Sequence, residues 1–334
     1  MTRKRENADL RIALVGQPNS GKSTLFNAVA GFKVNTGNFA GTTVAYTETL
    51  VSTHGKRIML IDLPGTYSIT SLDLAEQVTR DYLLSGNVDV VINIIDASML
   101  SRSLELTLQL IEMNVPLVVA MNMMDEAERK GVEISLSEFS RLTGVSAFPV
   151  VAVRGLGVDE LFGAAVALSP ETYRPNPPVY DRDVETCLTR LVSAMPEQAS
   201  EALHLDGRFS AIRLLEMDAE FERRVGDVAP EWLATVLAER KQLAELHDWP
   251  ERGVFASHRH ALVLDIYETI ATHAHSREPG LRERLDALIV NPLGGVLVIG
   301  LSLFLMFYAS FSLGDLIAGW LQGPFDALRG LIAH

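Results

Sequence analysis

The chain has 334 residues, enough for two domains, and 29 Lys and Arg against 42 Asp and Glu give a net charge of −13. Affinity for nucleic acid comes largely from basic side chains, so we expect no nucleic-acid partner. A single cysteine, Cys187, excludes an intramolecular disulfide, and we expect it to be a small buried apolar side chain rather than a reactive thiol. The mean hydropathy of +0.17 is high for a freely soluble acidic chain, so part of it must be unusually apolar.

The first half of the chain alternates between apolar runs typical of strands and patterns typical of helices. Predicted strands cover residues 11–15, 43–53, 57–62, 88–96, 116–122 and 148–153. Predicted helices cover residues 22–30, 72–84, 101–112, 135–142 and 158–167. Several strands are apolar on both faces, as in a sheet covered by helices on each side, and a short turn at His54 and Gly55 predicts a hairpin. The sequence therefore predicts an α/β fold, with a mostly parallel sheet and one antiparallel edge strand, over residues 1–172.

A linker and a helical region follow. Residues 173–180 contain three prolines, which interrupt regular structure. Residues 181–280 show helical periodicity with almost no strand-like alternation and predict a small all-α domain.

The last segment, residues 281–334, contains the apolar excess. Between Asp286 and Asp315 lie 28 residues without a charge, and a helix over residues 293–313 would be about as long as a bilayer core is thick. A buried core helix is the alternative. Three arginines precede this run and only Arg329 follows it, which favours a cytoplasmic N-terminal side. Nothing at the N-terminus resembles a signal peptide. The sequence thus predicts one transmembrane helix in the cytoplasmic (inner) membrane, with the N-terminal region in the cytoplasm.

A glycine-rich loop follows the first predicted strand and opens the first predicted helix. It fits the pattern GxxxxGK[ST], in which consecutive backbone N–H groups face phosphates at a helix N-terminus. Lys22 would reach the β- and γ-phosphates, and the Ser23 hydroxyl would ligate Mg²⁺. We expect all residues of this loop to contact the nucleotide: Gly16, Gln17, Pro18, Asn19, Ser20, Gly21, Lys22, Ser23 and Thr24.

Two further stretches complete the phosphate side. The sequence DLPG, comprising Asp62, Leu63, Pro64 and Gly65, ends the second strand of the hairpin. Its Asp62 can hold Mg²⁺ through water, and the Gly65 amide can sense a γ-phosphate. Before the hairpin lies a glycine-rich stretch typical of a switch loop that binds Mg²⁺ in the triphosphate state. Of its residues Gly41, Thr42 and Thr43, we select Thr43 as the magnesium ligand, with Thr42 as the alternative.

The base side is predicted from the sequence NMMD, comprising Asn122, Met123, Met124 and Asp125. It closes a buried strand at the edge where open α/β sheets bind ligands. A carboxylate at Asp125 can accept hydrogen bonds from guanine, whereas adenine has no donor at the corresponding ring nitrogen. We therefore expect guanine nucleotides, GTP and GDP, as ligands.

These stretches, in this order, resemble the ferrous iron transport protein B (FeoB) family. The resemblance rests on GQPNSGKSTLFN, GNFAGTTV, DLPGTYS followed by RDYLL, NMMDEAERKG, the helical region, and RLDALIVNPLGG before the apolar run. It covers essentially the whole chain and implies a GTPase and helical spacer on the cytoplasmic side of a Fe²⁺ transporter. The permease region of that family would lie outside this chain.

The resemblance implies further site residues. Asn19, with the carbonyl groups of Gly37 and Phe39, would bind K⁺ beside the phosphates. Lys22, Thr43, Gly65 and Asn19 would be the catalytic residues. The loop carrying Ala152, Val153 and Arg154 would contact guanine. Thr66 stands where Ras-like proteins have a glutamine that orients water, so GTP hydrolysis should be slow and stimulated by K⁺.

The family also implies membrane lipid, Fe²⁺, a second copy of the chain and small accessory Feo proteins as partners. The nucleotide state would then drive or regulate iron uptake. A regulatory GTPase without a transport role, either soluble and of the ribosome-assembly or RNA-modification type or tethered to the membrane, is the alternative. The apolar run and the lack of a basic surplus in the helical region argue against the soluble form.

Overall fold

The computed structural model describes residues 8–30, 35–38, 45–70, 74–203, 205–247, 253–273 and 288–332. A mixed sheet dominates the first half of the chain. Its strands are β1 (Leu10–Gly16), β2 (Asn35–Asn38), β3 (Ala45–Thr53), β4 (Lys56–Asp62), β5 (Val90–Asp96), β6 (Leu117–Asn122) and, after a separate short strand β7 (Val132–Ile134), β8 (Ala147–Pro149). The order across the sheet is β2-β3-β4-β1-β5-β6-β8. The five strands from β4 to β8 in that order run parallel, whereas β3 is antiparallel to β4 and β2 is antiparallel to β3.

Helices cover both faces of this sheet. They are α1 (Lys22–Ala30), α2 (Leu74–Leu84), α3 (Leu100–Glu112), α4 (Met124–Arg129), α5 (Leu136–Thr143) and α6 (Val158–Ala167). Alternate residues of β1 enter different clusters: Ile12 and Leu14 pack with α1 and α6, whereas Ala13 and Val15 pack with α2 and α3. Burial on both faces explains why the central strands are apolar throughout.

The helical part follows the proline-rich segment and contains α7 (Arg182–Ser193), α8 (Glu197–Leu203), α9 (Gly207–Leu215), α10 (Ala219–Val228), α11 (Pro230–His247) and α12 (Gly253–Ile270). Its apolar residues belong to the same cluster as α2 and α3. A last strand, β9 (Ala271–His273), pairs antiparallel with β7, and Ser135 N donates to the carbonyl oxygen of Ile270 at 2.8 Å.

Residues 275–334 form a second unit, whose main element is α13 (Pro292–Ile332). Its residues 292–314 are the one stretch of the described chain that is long and apolar enough to span a membrane, and no residue in the most apolar part of that stretch is buried. At 1.5 Å per residue the 23 residues cover about 35 Å.

The fold class predicted from the sequence is confirmed, including the hairpin at His54 and Gly55. Three details differ. The antiparallel strand β3 does not lie at the edge of the sheet, since β2 pairs along its outer side and runs in the same direction as β4. The strand predicted over 148–153 ends at Pro149, because a 3₁₀ turn, Ala152–Arg154, and left-handed glycines follow it. The pair β7 and β9 was not predicted.

Candidate nucleotide-binding site

The glycine-rich loop joins β1 to α1 at the carboxyl edge of the sheet. Asn19 and Gly21 both have positive φ, at +67° and +89°, so the chain curls tightly before α1 begins at Lys22. At Gly16 a Cβ atom would collide with the carbonyl oxygen of Ile94, so only glycine fits there. A loop of this shape at a helix N-terminus presents backbone N–H groups to an anion.

Two side chains from the start of α1 meet Asp62 at the end of β4. Lys22 Nζ lies 3.3 Å from Asp62 Oδ1, and Ser23 Oγ donates to Asp62 Oδ2 at 3.0 Å. Asp62 Oδ1 is buried, and although Lys22 lies within ion-pair distance of it, this oxygen accepts no hydrogen bond from the described residues. A carboxylate and a hydroxyl oxygen are the hard ligands that Mg²⁺ prefers, so this cluster fits a magnesium ion bound together with phosphates.

The DLPG segment lies directly against the glycine-rich loop. A Cβ atom at Gly65 would be 3.0 Å from the backbone nitrogen of Pro18, and Thr66 N donates to the carbonyl oxygen of Gly16 at 3.1 Å. Gly65 therefore packs directly against the glycine-rich loop. Thr66 is only 1% exposed, and its hydroxyl donates to the carbonyl oxygen of Ser68 at 2.6 Å. Its side chain is therefore turned into the protein.

Asn122, at the end of β6, connects three parts of the site. Its Nδ2 donates to the carbonyl oxygen of Ser20 at 2.8 Å, and its Oδ1 accepts from Ala152 N at 3.0 Å. Because the side chain is only 3% exposed and bonded on both sides, it fixes the distance between the glycine-rich loop and the 3₁₀ turn. We expect it to hold the walls of the base site in place without contacting the base.

The residues after Asn122 form the outer wall on the base side. Met123 has a left-handed φ of +60°, which turns the chain from β6 into α4. Its Cε lies 3.9 Å from the position of a Cβ at Gly21, so the thioether packs against the glycine-rich loop. Asp125 is exposed in the first turn of α4, where its Oδ1 accepts from Glu126 N at 3.1 Å. The carboxylate is therefore accessible to a base.

The three residues of the loop predicted to contact guanine differ in exposure. Ala152 is buried at 5% exposure, whereas Val153 is 79% exposed and Arg154 is also exposed. Ala152 is buried and is joined to the site by its backbone N–H, which donates to Asn122. The side chains of Val153 and Arg154 lie at the exposed rim of the loop.

Several predicted residues lie outside the described part of the chain. Thr43, Thr42, Gly41 and Phe39 fall there. Gly37 is in β2, paired with Tyr46, and Asn19 is exposed on the glycine-rich loop. The structure thus brings together the loop, DLPG and NMMD, and the potassium site and the threonine switch remain predictions.

Two features of the site were not found from the sequence. Gln17 was predicted only as part of the loop, yet its Nε2 donates to the carbonyl oxygen of Arg102, at the start of α3, at 2.6 Å. The Arg102 guanidinium carbon lies 4.8 Å from the centre of the Tyr67 ring, just after DLPG. The one available signal was a long polar side chain at the second position of the loop.

The second feature is a buried charge cluster between the α/β part and the helical part, formed by Glu112, Tyr180, Arg213, Glu216 and Arg259. Arg259 bonds Glu112 at 3.1 Å and Glu216 at 2.7 Å, and Arg213 pairs with Glu216. The Tyr180 hydroxyl donates to Glu112, and burial, followed by the Glu112 charge, holds the pKa of Tyr180 well above its usual value. Tyr180 is therefore a neutral donor at physiological pH.

This cluster reaches the segment after DLPG. Arg213 Nη1 donates to the Thr70 hydroxyl at 2.8 Å, although Arg213 belongs to α9 of the helical part. Nearby, Arg80 of α2 lies 3.6 Å from Asp218, at the start of α10. The helical part thus contacts α2 and the segment after DLPG through Asp218 and Arg213.

Comparison with known proteins places this geometry in a family. The profile of ferrous iron transport protein B matches residues 10–165, and that of the FeoB cytosolic helical domain matches residues 180–272. The chain is 33% identical to the Fe²⁺ transporter FeoB of Escherichia coli over 325 residues, covering 95% of this chain and 40% of that protein. It is 31% identical to a fusion of Fe²⁺ transport protein A with FeoB from Porphyromonas gingivalis, covering 94% of this chain and 38% of that protein.

Solved structures agree with these matches. A GDP-bound variant of NFeoB from S. thermophilus is 30% identical, with a TM-score of 0.73, and covers 79% of this chain and 100% of its own. NFeoB from S. thermophilus bound to GDP, AlF₄⁻ and K⁺ gives a TM-score of 0.67 at 30% identity, covering 78% of this chain and 99% of its own. The chain spans about 40% of the length of the curated relatives it matches. By sequence, fold and arrangement of the site, it belongs to the FeoB family.

Proposed function

We propose that this chain binds and hydrolyses GTP as the nucleotide-dependent part of a membrane transporter for Fe²⁺. Residues 1–172 would hold the nucleotide, residues 181–280 would be the helical spacer behind the linker 173–180, and residues 281–334 would enter the membrane. Family membership favours this function over the regulatory GTPase without a transport role.

The observation that carries the proposal is the convergence of Lys22, Ser23 and Asp62. These side chains come from α1 and β4, and the polar atoms of Lys22 and Ser23 each lie within 3.3 Å of an Asp62 carboxylate oxygen at the N-terminus of a helix. Ser23 and Asp62 would hold Mg²⁺, which would neutralise phosphate charge when bound, and Lys22 would hold the β- and γ-phosphates. Asp125 would select guanine from the opposite wall.

Hydrolysis is proposed to be slow and to depend on K⁺. The inward-facing Thr66 hydroxyl leaves the position of the Ras glutamine without a group that orients water. A related structure contains K⁺ together with GDP and AlF₄⁻. A cation held by Asn19, Gly37 and Phe39 would supply positive charge beside the phosphates.

The link to iron rests on the relatives. Proteins that match 95% of this chain are named Fe²⁺ transporters, and one relative is fused to Fe²⁺ transport protein A, which supports small accessory Feo proteins as partners. The exposed apolar helix over residues 292–314 supports lipid contact and a place in the inner membrane, with the nucleotide site in the cytoplasm. Extraction of the chain from membranes by alkaline carbonate would contradict this location.

The test is GTP turnover by the full chain in detergent with Mg²⁺. We expect release of phosphate from GTP and none from ATP. Lys22→Ala should abolish turnover, whereas Lys241→Ala, which removes a lysine 74% exposed on α11, should leave turnover unchanged. If Lys22→Ala hydrolyses GTP at the normal rate, the assignment of the site is wrong. Joined to a relative's permease region, the chain should support uptake of radioactive iron, and Lys22→Ala should not.

A further inference from the structure

The residues directly after DLPG include an aromatic side chain that none of the nucleotide motifs explains. Tyr67 lies two residues beyond Gly65 and is 43% exposed. The guanidinium carbon of Arg102 lies 4.8 Å from the centre of its ring. This distance is within the range of a cation–π contact. Arg102 itself is exposed, in the first turn of α3, so the contact lies at the surface of the site.

The backbone of Arg102 is fixed by the glycine-rich loop. Gln17 is the second residue of that loop and is only 8% exposed. Its Nε2 donates to the carbonyl oxygen of Arg102 at 2.6 Å. The start of α3 is therefore attached to the loop that faces the phosphates. The main chain of Arg102 is bonded to this loop, and the side chain of Arg102 contacts Tyr67.

The backbone of the segment Gly65 to Tyr67 is held from the other side. Thr66 N donates to the carbonyl oxygen of Gly16 at 3.1 Å, and Tyr67 N donates to Glu76 of α2 at 3.2 Å. Gly65 packs against Pro18. The Arg102 contact is thus the part of this arrangement that restrains the Tyr67 ring from the direction of α3.

We propose that Arg102 is a positioning residue for GTP hydrolysis, acting through Tyr67 to keep the Gly65 N–H in place for the γ-phosphate. The inference rests on the proposed GTPase function. A backbone donor stabilises developing charge only when it is already in position, and small displacements of such groups slow reactions strongly. GDP has no γ-phosphate, so the Arg102 contact should affect turnover of GTP and leave the affinity for GDP unchanged.

The test compares Arg102→Ala, Tyr67→Leu and the double variant in the full chain in detergent. An exposed cation–π contact corresponds to a decrease in kcat of about two- to five-fold for each single variant. The double variant should be no slower than the slower single variant, because both changes remove the same contact. Arg102→Lys and Tyr67→Phe keep a cation and a ring, and they should retain most of the kcat. The dissociation constant of fluorescent GDP should stay unchanged in all of them, and the thermal midpoint should shift by no more than about 4 °C.

The matched control is Arg141→Ala, which removes an exposed arginine that pairs with Glu138 at 2.8 Å on α5. Its kcat should equal that of the unsubstituted chain. An unchanged kcat in Arg102→Ala, or multiplied losses in the double variant, would overturn the positioning role. A parallel loss of GDP affinity would also overturn it, since Arg102 would then support the loop as a whole. If the unsubstituted chain does not hydrolyse GTP, the proposed function fails and this role fails with it.

Discussion

The buried charge cluster between the α/β and helical parts yields a quantitative prediction about stability. Arg213 and Arg259 balance Glu112 and Glu216, and each of the four side chains is at most 7% exposed. Glu112→Gln keeps the volume of the side chain but leaves one positive charge uncompensated. Removing one partner of a buried ion pair costs about 3–5 kcal/mol.

We expect Glu112→Gln to lower the thermal midpoint of the first unit by about 6–20 °C, since 1 kcal/mol shifts the midpoint of a domain of comparable size by about 2–4 °C. Thermal unfolding of the full chain in detergent, followed by circular dichroism, would measure it. The matched control is Glu138→Gln, whose carboxylate is 41% exposed beside an Arg141 side chain that is 64% exposed. Such surface pairs contribute about 0–1 kcal/mol, so the control should shift by no more than about 4 °C.

Adding Arg259→Met to Glu112→Gln tests whether charge imbalance causes the loss. The double variant retains Arg213 opposite Glu216 and has no uncompensated charge, so it should unfold at a higher temperature than Glu112→Gln alone. The reasoning fails if Glu112→Gln shifts the midpoint no more than Glu138→Gln does. It also fails if Arg259→Met deepens the loss in the Glu112→Gln background.

Three further predictions concern the nucleotide site and the cysteine. GTP hydrolysis should fall several-fold when K⁺ is replaced by Na⁺, and Asn19→Ala should remove this difference; equal rates of the unsubstituted chain in both salts would contradict the cation role. Asp125→Asn should weaken GTP binding by about 10- to 100-fold, as expected for hydrogen bonds to a charged group, and calorimetry showing unchanged affinity would refute the assignment to guanine. Cys187 should react with a thiol reagent at pH 8 only after unfolding, because burial, with the nearby Glu239 carboxylate, raises the pKa of its thiol to about 12. The folded thiol is protonated well above pH 8, so rapid labelling under native conditions would show that this side chain is accessible.

The arrangement at the carboxyl edge of the sheet was predictable because its signals are local. The glycine-rich loop, DLPG and NMMD each follow an apolar strand, and parallel strands bring their carboxyl ends to one edge. The structure places Lys22, Ser23 and Asp62 together as this argument requires. The hairpin was predictable for the same reason, since a short turn separates two strands that are adjacent in sequence.

The contacts between distant segments could not be predicted. Arg213 and Arg259 lie in amphipathic helices, where arginine is normally solvated, and their partner Glu112 is separated from Arg259 by 147 residues. The strand pair of β7 and β9 contains only three residues on each side, too few for an alternating pattern. The cation–π contact of Tyr67 depends on the orientation of α3 relative to the glycine-rich loop, which no local pattern specifies.

The pairing of β7 with β9 also determines how the helical part is attached. Near the start of this part, Tyr180 is bonded to Glu112 of α3, and at its end β9 is paired with β7. The helical part is therefore bound to the α/β part by noncovalent contacts at both of its ends. A segment held only at its start could change its orientation about the proline-rich linker. Because the helical part is held at both ends and also between them, through Arg213 to Thr70 and Arg259 to Glu112, it cannot rotate as one body until these contacts break and either the β7–β9 ladder opens or Tyr180 leaves its buried site.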